Sequence, residues 1–330
     1  MKKFITVTNI DSALLRNDKI IMINPQDVIT SAAVDYAKAK EITFSVSTES
    51  AFEPVTPAYM PPIVGEAAQM QMGNQLKAKL QRGGKVIGTM FQLGCPTVVE
   101  CLGISGLDFF IIDTEHSPVG VESTRQFIMA AELRRITPLV RIKRITRDII
   151  LNSLDIGAGG LIAPGIETAA QVREMINYAK YPHEGSRGFS LTRTSAFGYD
   201  EYSRNPTKYF KHCNDETLII PQCETKACLD NIDEIAAIPG VDGIFIGPYD
   251  LSVSLGRPAE FDTPEFTRAL KRVLDSCHRE GKFVFMLSKS VEQSKNLLEN
   301  GFSGIVFNSD IDMFISAYKN VLEQLCGTLK

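Results

Sequence analysis

No apolar run in this 330-residue chain approaches the roughly 20 residues of a membrane span. The opening Met-Lys-Lys-Phe leads into polar sequence rather than a signal-peptide core. Both absences point to a cytoplasmic protein with no membrane partner. A large excess of charge of one sign is also missing: the formal net charge is −4, which gives no reason to expect nucleic acid. Seven cysteines (95, 101, 213, 223, 228, 277 and 326) form no CxxC pair. They read as reduced thiols, mostly small core residues. Neither GxGxxG nor GxxxxGK[ST] occurs, which argues against a nucleotide-binding open sheet.

What is present is a regular alternation. Apolar runs occur at 85–93, 108–113, 138–142, 160–166, 217–223, 243–247, 282–287 and 304–308. They are continuous rather than alternating, the mark of strands covered on both faces. Helical spacing lies between them. Thr168 and Gln171 form a capping box before one such segment, and Pro264 and Gly281 bracket another. Eight strands, each followed by a helix or long loop, predict a (β/α)8 TIM barrel over 70–330. Residues 51–69 carry four prolines and read as a linker. Residues 1–50 read as a small α/β extension, with a strand–helix–strand unit running from IIMIN through Thr30–Ala37 to ITFSV. An extension of that size is marginal as an independent fold.

In a barrel, the C-terminal strand ends converge on one mouth, where the chemistry occurs. Reading only those ends gives Asp113, Glu115 and His116 after the second run, and Arg141 on the third. Gln222, Cys223 and Glu224 follow on the fifth, and Gly247, Pro248, Tyr249 and Asp250 on the sixth. Two carboxylates at neighbouring strand ends, Glu224 and Asp250, suit a hard divalent cation that keeps waters and admits substrate oxygens. Either alone reads equally well as the cap of the next helix. His116, flanked by Asp113 and Glu115, suits proton transfer at neutral pH. His183, His212 and His278 read as loop or helix-surface residues. Arg141 interrupts a buried strand and needs an anion, either Asp113 or Asp155 or a substrate oxygen. Lys143 is weighed as a Schiff-base lysine, but its basic surroundings favour a rim residue. Cys223 reads as a buried thiol beside a ligand rather than a nucleophile.

Together, Gly-Leu-Asp-Phe-Phe-Ile-Ile-Asp113-Thr-Glu115-His116, Leu-Val-Arg141, Leu-Asp155-Ile-Gly-Ala, Tyr181-Pro-His-Glu-Gly-Ser-Arg187-Gly188, Gln222-Cys-Glu224-Thr and Gly-Val-Asp-Gly-Ile-Phe-Ile-Gly247-Pro-Tyr-Asp250-Leu-Ser resemble the HpcH/HpaI aldolase/citrate lyase β-subunit family. The likeness covers roughly residues 74–310 in one order. It implies a class II aldolase that cleaves 4-hydroxy-2-oxo acids to pyruvate and an aldehyde. Glu224 and Asp250 would bind Mg²⁺ or Mn²⁺, with Co²⁺ a further option, and Arg141 would neutralise the enolate. His116, oriented by Asp113, would move the proton through a metal-bound water, with Glu115 and Asp155 in support. Backbone amides of Gly247, Pro248, Tyr249 and Asp250, with Gln222 nearby, would hold the substrate carboxylate. The resemblance also implies a homo-oligomer, a hexamer built from dimers with exchanged C-terminal helices.

The sequence departs from the family pattern at Cys223, in the loop from Arg187 to Thr194, and at Phe307-Asn308-Ser309-Asp310, where a glycine is expected. Residues 1–48 lie outside the family. Their Thr-x-x-Ala-x-Asp-x-Ala pattern from Thr30 is similar to leading segments of ethanolamine-utilisation and other bacterial microcompartment proteins, which implies a docking or oligomerisation module. A citrate-synthase-like or acyl-CoA lyase member and a non-catalytic scaffold are the competing readings.

Overall fold

The computed structural model describes residues 3–24, 26–46, 73–199 and 203–328. The proline-rich stretch 51–69 lies outside the described residues. The chain divides into two compact units, Met1–Ala68 and Gln69–Lys330, each with its own core.

In the first unit, β1 (Phe4–Ile5) pairs in parallel with β3 (Val28–Ile29), and β2 (Ile20–Ile23) with β4 (Thr43–Val46). Helices Val7–Leu15 and Ser31–Ala39 bury Ile10, Ala13, Ala33 and Ala37 together with Ile42. Thr30 caps the second helix by accepting from the Ala33 amide. The unit is therefore larger than the strand–helix–strand read from sequence. It adds β1, the first helix and β3, and two-residue strands are too short for any periodicity to show.

The second unit is a closed barrel of parallel strands: β5 (Val86–Phe91), β6 (Phe109–Asp113), β7 (Thr137–Arg141), β8 (Gly160–Ala163), β9 (Leu218–Cys223), β10 (Gly243–Ile246), β11 (Phe283–Ser288) and β12 (Gly304–Ser309). All eight coincide with the predicted apolar runs. Successive side chains alternate between the lumen and the helical jacket. Met90, Phe109, Ile111, Leu139, Ile162, Leu218, Ile220, Phe245, Phe285 and Val306 fill the lumen. Phe110, Ile112, Val140, Leu161, Ile219, Ile244 and Ile246 pack outward with the helices. Large and small residues interlock inside: a Cβ on Gly88 would stand 2.6 Å from the Phe109 ring.

The bottom of the barrel is closed by the helix Gln75–Gln81, whose Leu76 and Leu80 join the lumen core. Polar ties to strand beginnings fix it there. Asn74 Nδ2 donates to the Gly159 carbonyl at 2.7 Å, Lys77 pairs with Asp242 at 2.7 Å, and Lys79 pairs with Asp108 at 2.6 Å. The polar strand ends of β6, β7 and β9 lie at the other end.

Cys223, Cys228 and Cys277 are buried as expected, but Cys95, Cys101 and Cys326 are exposed, so the thiols are not mostly core. The helix Asp310–Thr328 exposes Phe314, Ile315, Tyr318, Val321, Leu322 and Leu325. Among the described residues, no helix is long and apolar enough to cross a membrane.

Candidate active site

The inward alternation that fills the barrel ends in polar residues at its top. On β6 the lumen series Phe109, Ile111 continues to Asp113. On β7 Leu139 is followed by Arg141, and on β9 Ile220 is followed by Gln222. Asp113 and Arg141 are direct cross-strand partners. The same register that packs the core thus sets a carboxylate beside a guanidinium.

Asp113 has no exposed surface. Its Oδ1 accepts from Arg141 Nε at 3.0 Å and from the backbone amides of Glu115 and His116 at 3.1 and 3.2 Å. Its Oδ2 accepts from Arg141 Nη2 at 2.8 Å and Gln92 Nε2 at 3.0 Å. Burial alone would raise this carboxyl's pKa, but the bonds and charge of Arg141, with those of Gln92 and the His116 amide, hold it below the ordinary value.

The ring of His116 does not rest on Asp113. Its Nε2 lies 3.6 Å from Glu115 Oε2, and the ring is largely exposed. Asp113 instead holds the His116 backbone and the face of Arg141, so its role is positioning. The sequence could not separate the two acids, because both lie within three residues of His116. Glu115 also meets Arg141 Nη1 at 3.4 Å. Burial pushes the Glu115 pKa up, opposed by Arg141 and His116 and assisted by Asp113 and Asp250.

Glu224 is buried except for 7% of its surface. Its Oε1 accepts from the Gly165 amide at 2.6 Å, and its Oε2 accepts from Gln222 Nε2. Burial raises its pKa, as do the charges of Asp250 and Glu115, against the Gly165 and Gln222 bonds. Three carboxylates therefore feel one another here. Among the described residues Gln222 Oε1 is buried without a hydrogen-bond partner, and orphaned buried acceptors are rare enough to call for an explanation. Gly247 completes the cradle: a Cβ there would stand 2.9 Å from Glu224 Oε2 and 2.8 Å from Gln222 Nε2. His116, Arg141, Gln222, Gly247, Pro248, Tyr249 and Asp250 line one cavity of about 270 Å³.

Two further readings change. Asp155 is not at the mouth; it ends the helix Arg147–Asp155, which leads into the start of β8. There it pairs at 2.7 Å with Arg187, whose guanidinium stacks 4.6 Å from the Tyr181 ring. Arg141 accordingly takes Asp113 and Glu115 as its anions, not Asp155. The Gly247 amide donates to the Cys223 carbonyl at 3.2 Å, and proline has no N–H. Of that stretch, this leaves the Tyr249 and Asp250 amides, which open the helix Pro248–Ser254 without intrahelical acceptors.

Cys223 is fully buried in the outer core, and its bond with Cys228 and its burial push its pKa well up, as befits an inert thiol. Lys143 and His183 are exposed, and His278 Nε2 lies 3.2 Å from the Gly301 carbonyl. Sequence reasoning missed Gln92, and it missed Asp310, whose carboxylate accepts from the Gln92 and Leu93 amides at 2.9 and 3.0 Å. It also missed Lys289 and Asp312 on the far wall of the cavity.

The model of the HpcH/HpaI aldolase/citrate lyase family matches residues 89–317. The chain belongs to that family. It is 32% identical over 76% of its length to a 5-keto-4-deoxy-D-glucarate aldolase of Klebsiella pneumoniae, covering 96% of that protein. The HpcH/HpaI aldolase of Desulfitobacterium hafniense superposes with a TM-score of 0.72 at 29% identity, covering 76% of this chain and 96% of that one. Citrate synthase SbnG superposes with a TM-score of 0.70 at 26% identity, covering 77% and 98%. The family member is an enzyme of the aldolase type on a (β/α)8 barrel.

Removing the Asp113 carboxylate should leave Arg141 buried beside a single partial partner. Asp113→Ala is expected to lower stability by about 3–5 kcal/mol in urea unfolding at pH 7. Because the folded-state pKa is depressed, this stabilisation is complete above the unfolded value of about 3.9 and is lost as pH falls through the folded one. Unfolding curves of wild type and variant should therefore converge on acidification below about pH 4.

Proposed function

We propose that this enzyme is a divalent-metal-dependent aldolase that reversibly cleaves a 4-hydroxy-2-oxo acid to pyruvate, or a related 2-oxo acid, and an aldehyde. The carrying observation is geometric: the clamped Arg141 and Asp250 line one cavity with Gln222, while Glu115 lies 3.4 Å from Arg141 and Glu224 accepts from Gln222 just behind that lining. Among the described residues there is no cluster of three or more His, Cys, Asp or Glu fit to hold a metal. Two carboxylates are nevertheless the donor set that Mg²⁺, Mn²⁺ or Co²⁺ accepts when waters and substrate oxygens complete the shell. The unpartnered Gln222 Oε1, and a Glu224 whose pKa burial and the Asp250 charge raise, fit a cation held beside them. Glu224 and Asp250 would hold it, and when bound it supplies Lewis-acid polarisation of the 2-oxo group.

The chain's own residues carry the remaining work. Arg141 has five N–H groups, of which Asp113 takes two and Glu115 faces a third. The other two are left for the cavity, where negative charge develops on the substrate's C2 oxygen. His116, held by Glu115, accepts the proton of the C4 hydroxyl as the C3–C4 bond breaks. The electron pair of that bond becomes the C2–C3 double bond of the enolate, and C4 leaves as the aldehyde carbonyl. A proton returned to C3 then gives the methyl of pyruvate. The Tyr249 and Asp250 amides, with Gln222, hold the carboxylate. The similarity to citrate synthase SbnG motivates one other reading, condensation with an acyl-CoA, and turnover of a CoA thioester in place of pyruvate as the enolate partner would select it.

The exposed apolar stripe from Phe314 to Leu325 supports a homo-oligomer in which a second copy covers this helix, since patches of this kind mark interfaces. Substituting Asp for both Tyr318 and Leu322 should lower the mass of the wild-type particle in light scattering; a wild type that is already monomeric refutes the assembly.

Retro-aldol activity should vanish in EDTA and return with Mn²⁺ or Co²⁺. At 100 times its Kd the ion should add about 2.7 kcal/mol to unfolding stability, and Glu224→Gln should abolish that gain. His116→Ala should lose 10²–10⁴ in kcat, in rough proportion to general acid–base catalysis. Full turnover in EDTA would refute the proposal.

A further inference from the structure

The cavity of about 270 Å³ has a further wall beyond the residues assigned to the 2-oxo acid. Opposite Asp250, Gln222 and Arg141 it is walled by the ends of β11 and β12, where Lys289, Asn308 and Asp312 line it. Lys289 Nζ donates to Asp312 Oδ2 at 2.8 Å and stands 6.0 Å from the centroid of the Tyr249 ring. Asp312 is anchored by its amide to Ser309 Oγ at 3.1 Å, and Asn308 Nδ2 donates to the Lys289 carbonyl at 3.3 Å. A register shift between Val306 and Ser309, with Asn308 at φ 53°, turns β12 so that these side chains meet. Asn308 lies in the Phe307–Asp310 stretch that lacks an expected glycine, and asparagine tolerates a left-handed φ better than most residues. The replacement adds a side chain that braces Lys289.

From this rim we infer a distal subsite that takes an uncharged, hydroxylated aldehyde chain and disfavours one ending in a carboxylate. The inference rests on the aldolase reading and adds its substrate class. Fixed cations lining the cavity are Arg141 and Lys289. Arg141 is engaged by Asp113 and Glu115, and Lys289 by Asp312, so neither offers an unmatched charge to a second carboxylate. Asp312 would repel one directly, since like charge at an interface is a device of exclusion. A hydroxyl group suffers no such conflict. It accepts from a spare N–H of Lys289 and donates to Asp312 Oδ1, and the half-exposed Tyr249 ring offers an apolar face to the carbon chain. Both side chains of the ion pair are about half exposed, 48% and 45%, so they stand open to the cavity rather than sealed beneath it.

The test compares two aldehydes with the same three-carbon skeleton, D-glyceraldehyde and tartronate semialdehyde, in metal-dependent addition to pyruvate. Wild type should favour glyceraldehyde in kcat/KM by about tenfold or more, the effect of roughly 1.4 kcal/mol. Asp312→Asn should move that ratio about tenfold towards the acid, and Lys289→Met should move it the opposite way. Preference for tartronate semialdehyde in wild type, or a ratio unchanged within about twofold in Asp312→Asn, overturns the subsite. Deuterium exchange into the pyruvate methyl, measured without aldehyde, separates the two levels. Exchange with an inverted aldehyde preference defeats only the subsite; absence of exchange in the metal-loaded wild type defeats the aldolase reading and the subsite with it.

Discussion

A carboxylate buried at the top of a barrel strand can stay ionised only if its neighbours replace water completely. Asp113 meets that demand with five donors: two from Arg141, one from Gln92 and two from the backbone after it. Each donor is placed in return. Arg141 is fixed in the plane that faces the cavity. The Glu115–His116 turn is folded back over the strand end, and Gln92 ties β5 to the same point. Without this node the guanidinium would have a single acid, Glu115, and the histidine would have no fixed backbone.

The node is a consequence of the barrel's register. The alternation that sends Phe109 and Ile111 inward sends Asp113 inward next, and the parallel pairing of β6 with β7 brings Arg141 alongside. On β9 the same rule delivers Gln222, and on β10 it delivers Gly247, which must be glycine because Gln222 and Glu224 occupy the space of a Cβ. Leu76 and Leu80 close the opposite end. Core packing and site construction are thus one pattern read at two heights, and a register slip in any of these strands would lose both.

This explains what could be read from the sequence. Strands buried on both faces leave long apolar runs, and polar residues interrupting those runs at their C-terminal ends stand out, as Asp113, Arg141, Gln222 and Glu224 do. Partners chosen by fine geometry do not stand out. Whether His116 rests on Asp113 or Glu115 depends on the turn after β6, and both acids are near in sequence. Asp155 looked like a neighbour of the mouth by its place before β8, but a helix that runs back along the barrel ends at the other face. The Lys289–Asp312 pair spans 23 residues and depends on a bulge that no periodicity reveals. The two-residue strands of the N-terminal unit are too short to carry a pattern.

Glu224 and Asp250 are proposed to hold a cation whose charge works with Arg141 on the same developing oxyanion. A crystal structure with Mn²⁺ and oxalate, a planar dianion that mimics the enolate of pyruvate, tests it directly. The expected result is Mn²⁺ ligated by both carboxylates and by oxalate, with an oxalate oxygen hydrogen-bonded to Arg141. Mn²⁺ ligated elsewhere, or oxalate seated away from Arg141, would contradict it.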